Sequence, residues 1–402
     1  MITRKVLLME QENTVRMYEL ENEEIVEIHV ESAEDENDKK HVLGNIYVGR
    51  VKNIVPNIGA AFIEIEPGVE CYYDISQAKK AHFTNKIGKK PLCIGDELIV
   101  QISKEAVKTK SPTVSSNISF TGRYAVLTSG NTRIGTSTKL SKSERENWKE
   151  ELKNFKNDNY GIVIRTNAKN VSPQEVLAEI TELKEEYEEL CGKALTRKVF
   201  SCLKKAPAAY LTELRNVYRD GLEQIVIEGQ NLYDSVYKFL KREQPEDIDK
   251  LHLYDNSKLP LSKVYGTDTA LKRALSEKVW LKDGAYLIIQ YTEALTVIDV
   301  NSGKCVSKKD PFETYKKINL NAAKEVAKQL RLRNLSGIVI VDFINLDNDD
   351  AFKELLKAFR MYLSKDPIQS TLVDVTALQL VEVTRKKVRK PLHEKGLVFD
   401  EN

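Results

Sequence analysis

Two aspartates follow apolar runs in the C-terminal third of the sequence. Asp299 comes directly after residues 295–298 (Leu-Thr-Val-Ile), and Asp342 directly after residues 338–341 (Ile-Val-Ile-Val). A carboxylate beside buried apolar residues is costly without a partner, and two neighbouring carboxylates repel and raise one pKa. A divalent cation removes both costs, and carboxylates with water are common magnesium ligands. The pattern favours a metal site; the alternative is that each Asp only starts a turn.

Asn301 lies two residues after Asp299 and therefore points to the same side of an extended chain. Its amide is suited to orienting a carboxylate, a water molecule or a phosphate. Residues 286–289 and 295–298 are expected to form paired strands. The continuous apolar run 338–341 predicts a strand that is buried on both faces.

Two helices and a last strand are predicted around these strands. The first helix spans residues 311–333 and ends at Gly337, because apolar residues recur at helical spacing at Ile318, Ala322, Val326 and Leu330. The second helix spans residues 350–363, and one final strand spans residues 371–383. The C-terminal region is therefore predicted to be an α/β unit.

Composition bounds the class of protein. The chain has 402 residues, 41% of them hydrophobic and 30% charged, which excludes general disorder. At roughly 100–200 residues per domain, we expect two to four domains. The 62 basic and 60 acidic residues nearly cancel, so nucleic-acid contacts must come from local patches.

No apolar run approaches the roughly 18 residues of a membrane span, and the apolar N-terminal stretch is too short for a signal peptide. The five cysteines are odd in number and contain no C-x-x-C pair, which argues against a disulfide framework and a sequence-local zinc site. We therefore expect a soluble, cytoplasmic protein.

The N-terminal half is predicted to be rich in strands. Residues 4–31 alternate apolar and polar positions as in an antiparallel hairpin, and residues 32–40 are an acidic loop. Short strands punctuated by glycine over residues 44–120 are typical of a small closed barrel. Residues 224–227 predict a strand, and residues 231–243 predict a helix.

A further helix is predicted to begin at Ser172, because a serine cap, Pro173 and Glu175 form a strong start signal. Its expected buried face consists of Val176, Ile180, Leu183 and Tyr187. Its other face has seven glutamates between Glu175 and Glu189 and is interpreted as a solvated face.

Two long segments of unusual composition resemble the catalytic segment of the ribonuclease E/G family. The first runs from residues 280–284 (Trp-Leu-Lys-Asp-Gly) through residues 292–303, which contain Thr-Glu-Ala-Leu-Thr-Val-Ile-Asp-Val-Asn-Ser-Gly. The second is residues 327–335 (Ala-Lys-Gln-Leu-Arg-Leu-Arg-Asn-Leu), followed by Gly337 and the Asp342 strand. The resemblance extends over nearly the whole chain.

The resemblance implies a multidomain α+β fold. It contains a split RNase H-like subdomain, an inserted OB-fold RNA-binding barrel, a 5′-sensor subdomain and a deoxyribonuclease I-like catalytic subdomain. In chain order the implied boundaries are 1–35 for the first RNase H-like part, 36–119 for the barrel, 120–214 for the sensor, 215–278 for the second RNase H-like part and 279–402 for the catalytic subdomain.

The resemblance also implies a function: a magnesium-dependent endoribonuclease that acts in RNA processing and decay, including rRNA processing and mRNA decay. Its substrate would be single-stranded RNA, cleaved to 5′-phosphate and 3′-hydroxyl ends, with 5′-monophosphorylated RNA favoured. Asp299 and Asp342 would hold the magnesium ion, and Asn301 would help to place the scissile phosphate. Manganese suits the same ligands.

Further positions match RNA contacts of the family. Phe62 and Tyr72 would present aromatic rings to RNA, with Lys110 near the same channel. The alternatives are that Phe62 belongs to the barrel core and that Tyr73 is the outward ring. The 5′-phosphate sensor would consist of Gly122, Val126, Arg165 and Thr166, because an arginine fork and a hydroxyl suit a terminal monophosphate.

Several basic residues are open to two interpretations. The run 385–390 (Arg-Lys-Lys-Val-Arg-Lys) either neutralises RNA phosphates or is a solvated tail. Arg331 and Arg333 either contact RNA or complement the C-terminus of the helix that contains them.

The sequence departs from the family pattern at several positions, which are Gln290–Tyr291, Asn321, 366–369, Asp374, Gln379 and Thr138–Lys139. The cysteine pair that links family subunits through zinc is absent, so no zinc is expected and any homo-oligomer would use other contacts. The departures motivate a second hypothesis, a catalytically weak or inactive RNA-binding relative. A third is a translation or ribosome-assembly factor that uses the barrel alone.

Overall fold

The computed structural model describes residues 2–32, 42–106, 111–304 and 311–395. The chain forms two compact units. Unit 1 consists of Met1–Ala33, Gly221–Ser235 and Asp249–Asn402, and unit 2 consists of Glu34–Asp220 and Val236–Ile248. None of the helices in the described ranges combines the length and the apolar character that a bilayer crossing requires.

The strands of the described chain are numbered in sequence order: β1 Arg4–Gln11, β2 Thr14–Glu21, β3 Glu24–Ser32, β4 Ile46–Val55, β5 Ala60–Glu66, β6 Val69–Asp74, β7 Phe83–Asn85, β8 Glu97–Lys104, β9 Thr113–Ser115, β10 Ser119–Thr121, β11 Ala125–Thr128, β12 Ile134–Thr136, β13 Gly161–Ile164, β14 Cys202–Lys204, β15 Leu222–Glu228, β16 Leu251–Tyr254, β17 Lys278–Trp280, β18 Tyr286–Tyr291, β19 Leu295–Asn301, β20 Gly337–Asp342, β21 Ser370–Val375 and β22 Val381–Arg385. The α-helices are α1 Lys142–Glu151, α2 Pro173–Ala194, α3 Ala209–Asn216, α4 Gln230–Glu243, α5 Leu261–Tyr265, α6 Thr267–Leu275, α7 Pro311–Leu332 and α8 Asp349–Leu363.

Unit 1 contains two sheets. The first has the order β16-β15-β1-β2-β3, in which β1 pairs in parallel with β15 and antiparallel with β2. The predicted N-terminal hairpin is confirmed and continues into a third strand, β3. The second, here called the C-terminal sheet, has the order β17-β18-β19-β20-β22-β21, and β19–β20 is its parallel pair.

The C-terminal sheet is covered by helices on one face. Its core joins Ile298, Val339 and Val341 to the predicted apolar face of α7 and to α8. On the opposite face Ile338 is 49% exposed, and Asp342 is also exposed. The prediction that strand 338–341 is buried on both faces is therefore wrong, because only alternate residues of its apolar run reach the helices.

The end of the chain also differs from prediction. Residues 371–383 were expected to form one strand, but the structure has the antiparallel hairpin of β21 and β22. Gln379 adopts a left-handed φ of 63° in the connection, and its N–H donates to the carbonyl of Thr376. The turn at Gln379 thus replaces the middle of the predicted strand.

The end of helix α7 also differs slightly from prediction. The helix ends at Leu332, before Gly337, and Asn334 adopts the left-handed conformation (φ 51°).

Unit 2 contains the predicted closed barrel. Strands β4, β5, β6, β9 and β8 pair in sequence, and β8 returns to β4 to close the barrel. Gly49 in β4 permits close packing, because a Cβ at this position would lie 2.5 Å from Cγ2 of Ile63.

A second sheet of unit 2 has the order β10-β11-β13-β12 and packs against α2. The predicted helix start is confirmed, since Ser172 accepts a hydrogen bond from the backbone N–H of Glu175 and Pro173 is the first helical residue. The predicted apolar positions of α2, from Val176 to Tyr187, are buried in this core.

A buried cluster of charges connects α7 to strands β2 and β3 of the first sheet of unit 1. The guanidinium of Arg331 donates to Glu27 (2.6 Å), Glu21 (2.9 Å) and Glu19 (3.2 Å). Burial and the charge of Glu27 raise the pKa of Glu19 to about 8. Burial alone would raise the pKa of Glu27 too, but Arg331 holds it well below its usual range. Arg331 is therefore a structural residue, and the RNA-contact interpretation is wrong for it.

Replacing Arg331 with methionine should lower the free energy of unfolding by about 3–5 kcal/mol, because three carboxylates would lose their shared buried cation. Urea denaturation checks this. The matched control is Lys328→Met on the same helix. Lys328 forms a surface ion pair with Glu24, and such a pair is worth about 0–1 kcal/mol. Equal losses in the two variants would contradict the assigned role.

Candidate active site and nucleic-acid surfaces

Strand pairing brings the two aspartates together. Asp299, two residues before the end of β19, and Asp342, at the end of β20, are direct partners in the parallel register. Adjacent strands are about 4.8 Å apart, and paired residues present their side chains to the same face. Both aspartates are exposed on the open face of the C-terminal sheet. The arrangement is a pair of carboxylates that solvent and a ligand can reach.

Asn301 is close enough to orient one of these carboxylates. Its Nδ2 donates to Oδ2 of Asp299 at 2.7 Å. Partial burial and the negative charge of Asp299 raise the pKa of Asp342. Within the described ranges, no group of three or more His, Cys, Asp or Glu side chains is placed to hold a metal. Two carboxylates with water still fit a hard cation such as magnesium, which usually keeps several water ligands.

Two of the departures from the family pattern have partners within unit 1. Gln290 donates to Glu277, and Asn321 donates from Nδ2 to Asp283 at 2.9 Å. Neither side chain is hydrogen-bonded to Asp299 or Asp342 in the described structure.

The basic candidates near the C-terminus are partly internal. Arg333 is fully buried and donates to Gln329 and Tyr291. Arg385 is also buried and donates to Asp366 at 2.7 Å. The RNA-contact interpretation is therefore wrong for these two arginines. Lys386 and Lys387, in the same run as Arg385, are exposed.

The barrel places two aromatic rings side by side. Phe62 on β5 and Tyr72 on β6 are register partners. Tyr72 is 36% exposed, whereas Tyr73 is buried with its hydroxyl 2.9 Å from Oγ of Ser116. Phe62 is half-buried, and its side chain is outside the barrel core to which its neighbours Ala61 and Ile63 belong. The alternative that Phe62 is a core residue is therefore wrong. The alternative that Tyr73 is the outward ring is also wrong, because Tyr73 belongs to that core. Lys110 lies outside the described residues.

The candidate sensor residues Gly122 and Arg165 lie beside the ends of β11 and β13, the two central strands of the second sheet of unit 2. Arg165 donates from Nη1 to the carbonyl of Gly122 (2.5 Å) and from Nη2 to Oδ1 of Asn216 (2.6 Å). Burial and the nearby charge of Arg215 lower the pKa of Arg165 to about 10, so it remains cationic at neutral pH. Gly122 and Arg165 are therefore in contact, as a shared site requires.

The other two sensor candidates flank this contact. Oγ1 of Thr166 lies 3.0 Å from Oγ of Ser137, in the segment that continues to Thr138–Lys139. Val126 is half-buried on β11 and pairs with Val163 on β13, the strand that precedes Arg165.

Glu179 is a residue that sequence reasoning missed. Its carboxylate accepts hydrogen bonds from the backbone N–H groups of Arg123 (2.7 Å), Tyr124 (2.8 Å) and Ala125 (2.8 Å). Burial raises the pKa of Glu179, and these three N–H groups oppose the rise. The interpretation of the whole acidic face as solvated is wrong at this position. Its proximity to the buried Val176 and Ile180 was the available signal.

Gly122 lies directly against Glu179, so a side chain at position 122 would displace this carboxylate. A Cβ at position 122 would lie 2.4 Å from the carboxylate carbon of Glu179. The Glu179 carboxylate therefore holds the loop at residues 122–125, whose Gly122 carbonyl accepts the hydrogen bond from Arg165. Glu179 is thus a positioning residue for the candidate sensor.

Comparisons with known proteins agree with the sequence resemblance. A model of the ribonuclease E/G family matches residues 119–388. Ribonuclease G of Salmonella typhimurium (strain SL1344) is 31% identical over 382 residues, which cover 90% of this chain and 76% of that protein. Ribonuclease G of Escherichia coli (strain K12) is 31% identical over 384 residues, with 91% and 76% covered. Ribonuclease E of Nostoc sp. (strain PCC 7120) is 30% identical over 362 residues, with 88% and 52% covered.

The matched residues extend across both units of the chain. The chain itself has a mixed α+β fold with a closed five-stranded barrel. They define an RNA-cleaving enzyme, an endoribonuclease. The chain belongs to the ribonuclease E/G family.

Replacing Glu179 with alanine should deprotect the loop at residues 123–125, because three backbone N–H groups lose a charged acceptor. Hydrogen exchange resolved by residue should show these amides exchanging at least about tenfold faster. The matched control is Glu182→Ala, an exposed glutamate on the same helix. Unchanged exchange at Tyr124 in the Glu179 variant would exclude the positioning role.

Proposed function

We propose that this endoribonuclease is magnesium-dependent and cleaves single-stranded RNA to 5′-phosphate and 3′-hydroxyl ends, in rRNA processing and mRNA decay. The observation that carries the proposal is the direct register pairing of Asp299 with Asp342 on an open sheet face. A buried pair would be closed to a polymer, whereas this pair is accessible to the backbone of an extended RNA chain.

Asp299 and Asp342 would hold the cation, and Asn301 keeps one carboxylate oriented through its 2.7 Å hydrogen bond. If bound there, magnesium would supply a water of lowered pKa and would neutralise charge on the phosphate oxygens. The protein contributes rigidity: both strands are backed by the apolar core under the sheet, so the carboxylates keep their spacing. Manganese would suit the same oxygen ligands.

Substrate binding is proposed to use the barrel as an OB-fold surface. The paired rings of Phe62 and Tyr72 suit base stacking, which is sequence-tolerant and selects single strands because their bases are free. In the same proposal, the two sheets of unit 1 correspond to the RNase H-like and deoxyribonuclease I-like subdomains. The sheet formed by β10–β13 corresponds to the 5′ sensor.

The sensor is proposed to favour a 5′-monophosphate. Arg165 remains charged and has five N–H donors, of which two serve Gly122 and Asn216 in the described structure. In this proposal the remaining donors and the Thr166 hydroxyl would contact phosphate oxygens. Thr138 and Lys139 follow in the neighbouring segment, at positions where the family often has two arginines.

The Asp342→Asn variant should lose RNA cleavage by about a hundredfold or more while retaining RNA binding, because one charged ligand is replaced by a neutral amide. A gel assay on a short single-stranded RNA with magnesium, beside an EDTA lane, measures cleavage. The control is Asp350→Asn, an exposed aspartate of α8 outside the site.

Cleavage that persists in the Asp342 variant would refute the metal pair. RNA that is bound by wild type but intact at every magnesium concentration would instead favour the inactive RNA-binding relative.

The Arg165→Ala variant should erase the preference for a 5′-monophosphate. Wild type is expected to cleave 5′-monophosphorylated RNA about tenfold faster than the 5′-hydroxyl form, the value of a charged hydrogen-bonding pair. The variant should cleave both at the slower rate. Arg133→Ala, at an exposed arginine of the same unit, serves as the control. Equal wild-type rates on the two substrates would remove the sensor from the proposal.

A further inference from the structure

A solvent-exposed aromatic cluster lies at the edge of the C-terminal sheet. Trp280 on the edge strand β17 is 63% exposed, and its ring centroid is 5.2 Å from that of Tyr286 on β18. The ammonium of Lys278 lies 4.1 Å from the Trp280 ring centroid and 3.7 Å from the Tyr286 ring centroid. These three residues are here called the edge cluster.

Strand register places the edge cluster on the face that carries the carboxylates. Trp280 pairs with Tyr286, and Tyr286 pairs with Asn301. Since paired residues share a face, these three form one row across the sheet. The next row runs from Lys278 through Ile288 and Asp299 to Asp342.

The two rows form a continuous surface. Strand β17 lies two strand spacings from β19, which is about 10 Å. A polynucleotide whose phosphate lies at the carboxylates can therefore reach the edge cluster with a neighbouring base.

The charge of the edge cluster suits a polyanion. Within the described ranges, Lys278 makes no ion pair, and its cationic group lies over aromatic rings. A lysine held at ring faces can serve a backbone phosphate while a base stacks on the indole, as in single-strand binding grooves. The carboxylates alone would repel RNA, so a cation on the same face offsets this repulsion.

We propose that the edge cluster is a stacking subsite for single-stranded RNA: a base next to the scissile phosphate stacks on Trp280, supported by Tyr286, and Lys278 contacts the backbone phosphate. The inference rests on the proposed active site at Asp299 and Asp342. It adds a binding contact on the catalytic sheet itself, separate from the barrel aromatics of unit 2.

Intrinsic fluorescence gives a direct test, because the chain has two tryptophans and Trp148 is buried. The Trp148→Phe variant leaves Trp280 as the sole indole. Titration with a single-stranded oligoribonucleotide in EDTA, where the RNA stays intact, should quench its emission. Binding is followed independently by the anisotropy of labelled RNA. RNA that binds without altering Trp280 emission would overturn the proposal.

Substitution at Trp280 tests the energetic contribution. Trp280→Ala should weaken RNA binding or raise KM about fivefold or more, the range for one stacked base, while Trp280→Phe should stay within about twofold of wild type. The control Ile338→Ala removes an exposed apolar side chain from the same face without removing a ring. Similar losses in the alanine variants at 280 and 338 would argue against stacking.

An RNA with a single abasic nucleotide, moved one position at a time, locates the stacked base. One position near the cleavage site should weaken binding to wild type but not to Trp280→Ala. No such position would overturn the proposal. The exposed edge cluster could instead bind a second copy of the chain, and light scattering at several protein concentrations tests this. A mass that doubles in wild type but not in Trp280→Ala would assign the cluster to self-association and overturn the proposal.

These readouts separate the subsite from the active site. Quenching without cleavage would support the edge cluster and refute the proposed catalysis. Cleavage that depends on Asp342 but is accompanied by no quenching would leave catalysis intact and refute the edge cluster.

Discussion

The open face of the C-terminal sheet is the constraint on which the proposed chemistry depends. Helices cover one side of this sheet, and every second residue of β19 and β20 points into the apolar core between the sheet and the helices. The intervening residues, which include Asp299 and Asp342, must then point to solvent. Parallel pairing fixes the two carboxylates next to each other without a loop to position them. The result is an acidic pair that is rigidly held and open to an extended polymer.

Buried charges hold that sheet to the rest of unit 1. Arg331 extends from α7, the helix under the sheet, to three glutamates on β2 and β3. Arg385 on β22 is fixed by Asp366 in a second buried pair. Such pairs are costly to break once formed, because a lone charge would remain in a desolvated site. Arginines that the sequence offers as RNA contacts are thus used for internal structure.

Internal use of these arginines changes how RNA affinity must arise. With a formal net charge of +2, the chain has no bulk electrostatic attraction for a polyanion. In the proposed function, base stacking at Phe62 and Tyr72 and at the edge cluster would supply affinity that requires little net charge. Arg165 would then provide selectivity at one point, the 5′ end of the RNA.

The sequence alone determined the strand and helix periods, the cap at Ser172, the pair of aspartates and the family, because these depend on local pattern and motif. It predicted strand 338–341 as doubly buried and the acidic face of α2 as solvated. The first prediction was wrong and the second was wrong at Glu179, because burial of a side chain depends on which element packs over it. Tertiary structure alone decided that Glu179 caps a loop, that Arg331 is internal and that Trp280 shares a face with Asp299. Each of these results from contacts or strand register between segments distant in sequence, which local pattern does not encode.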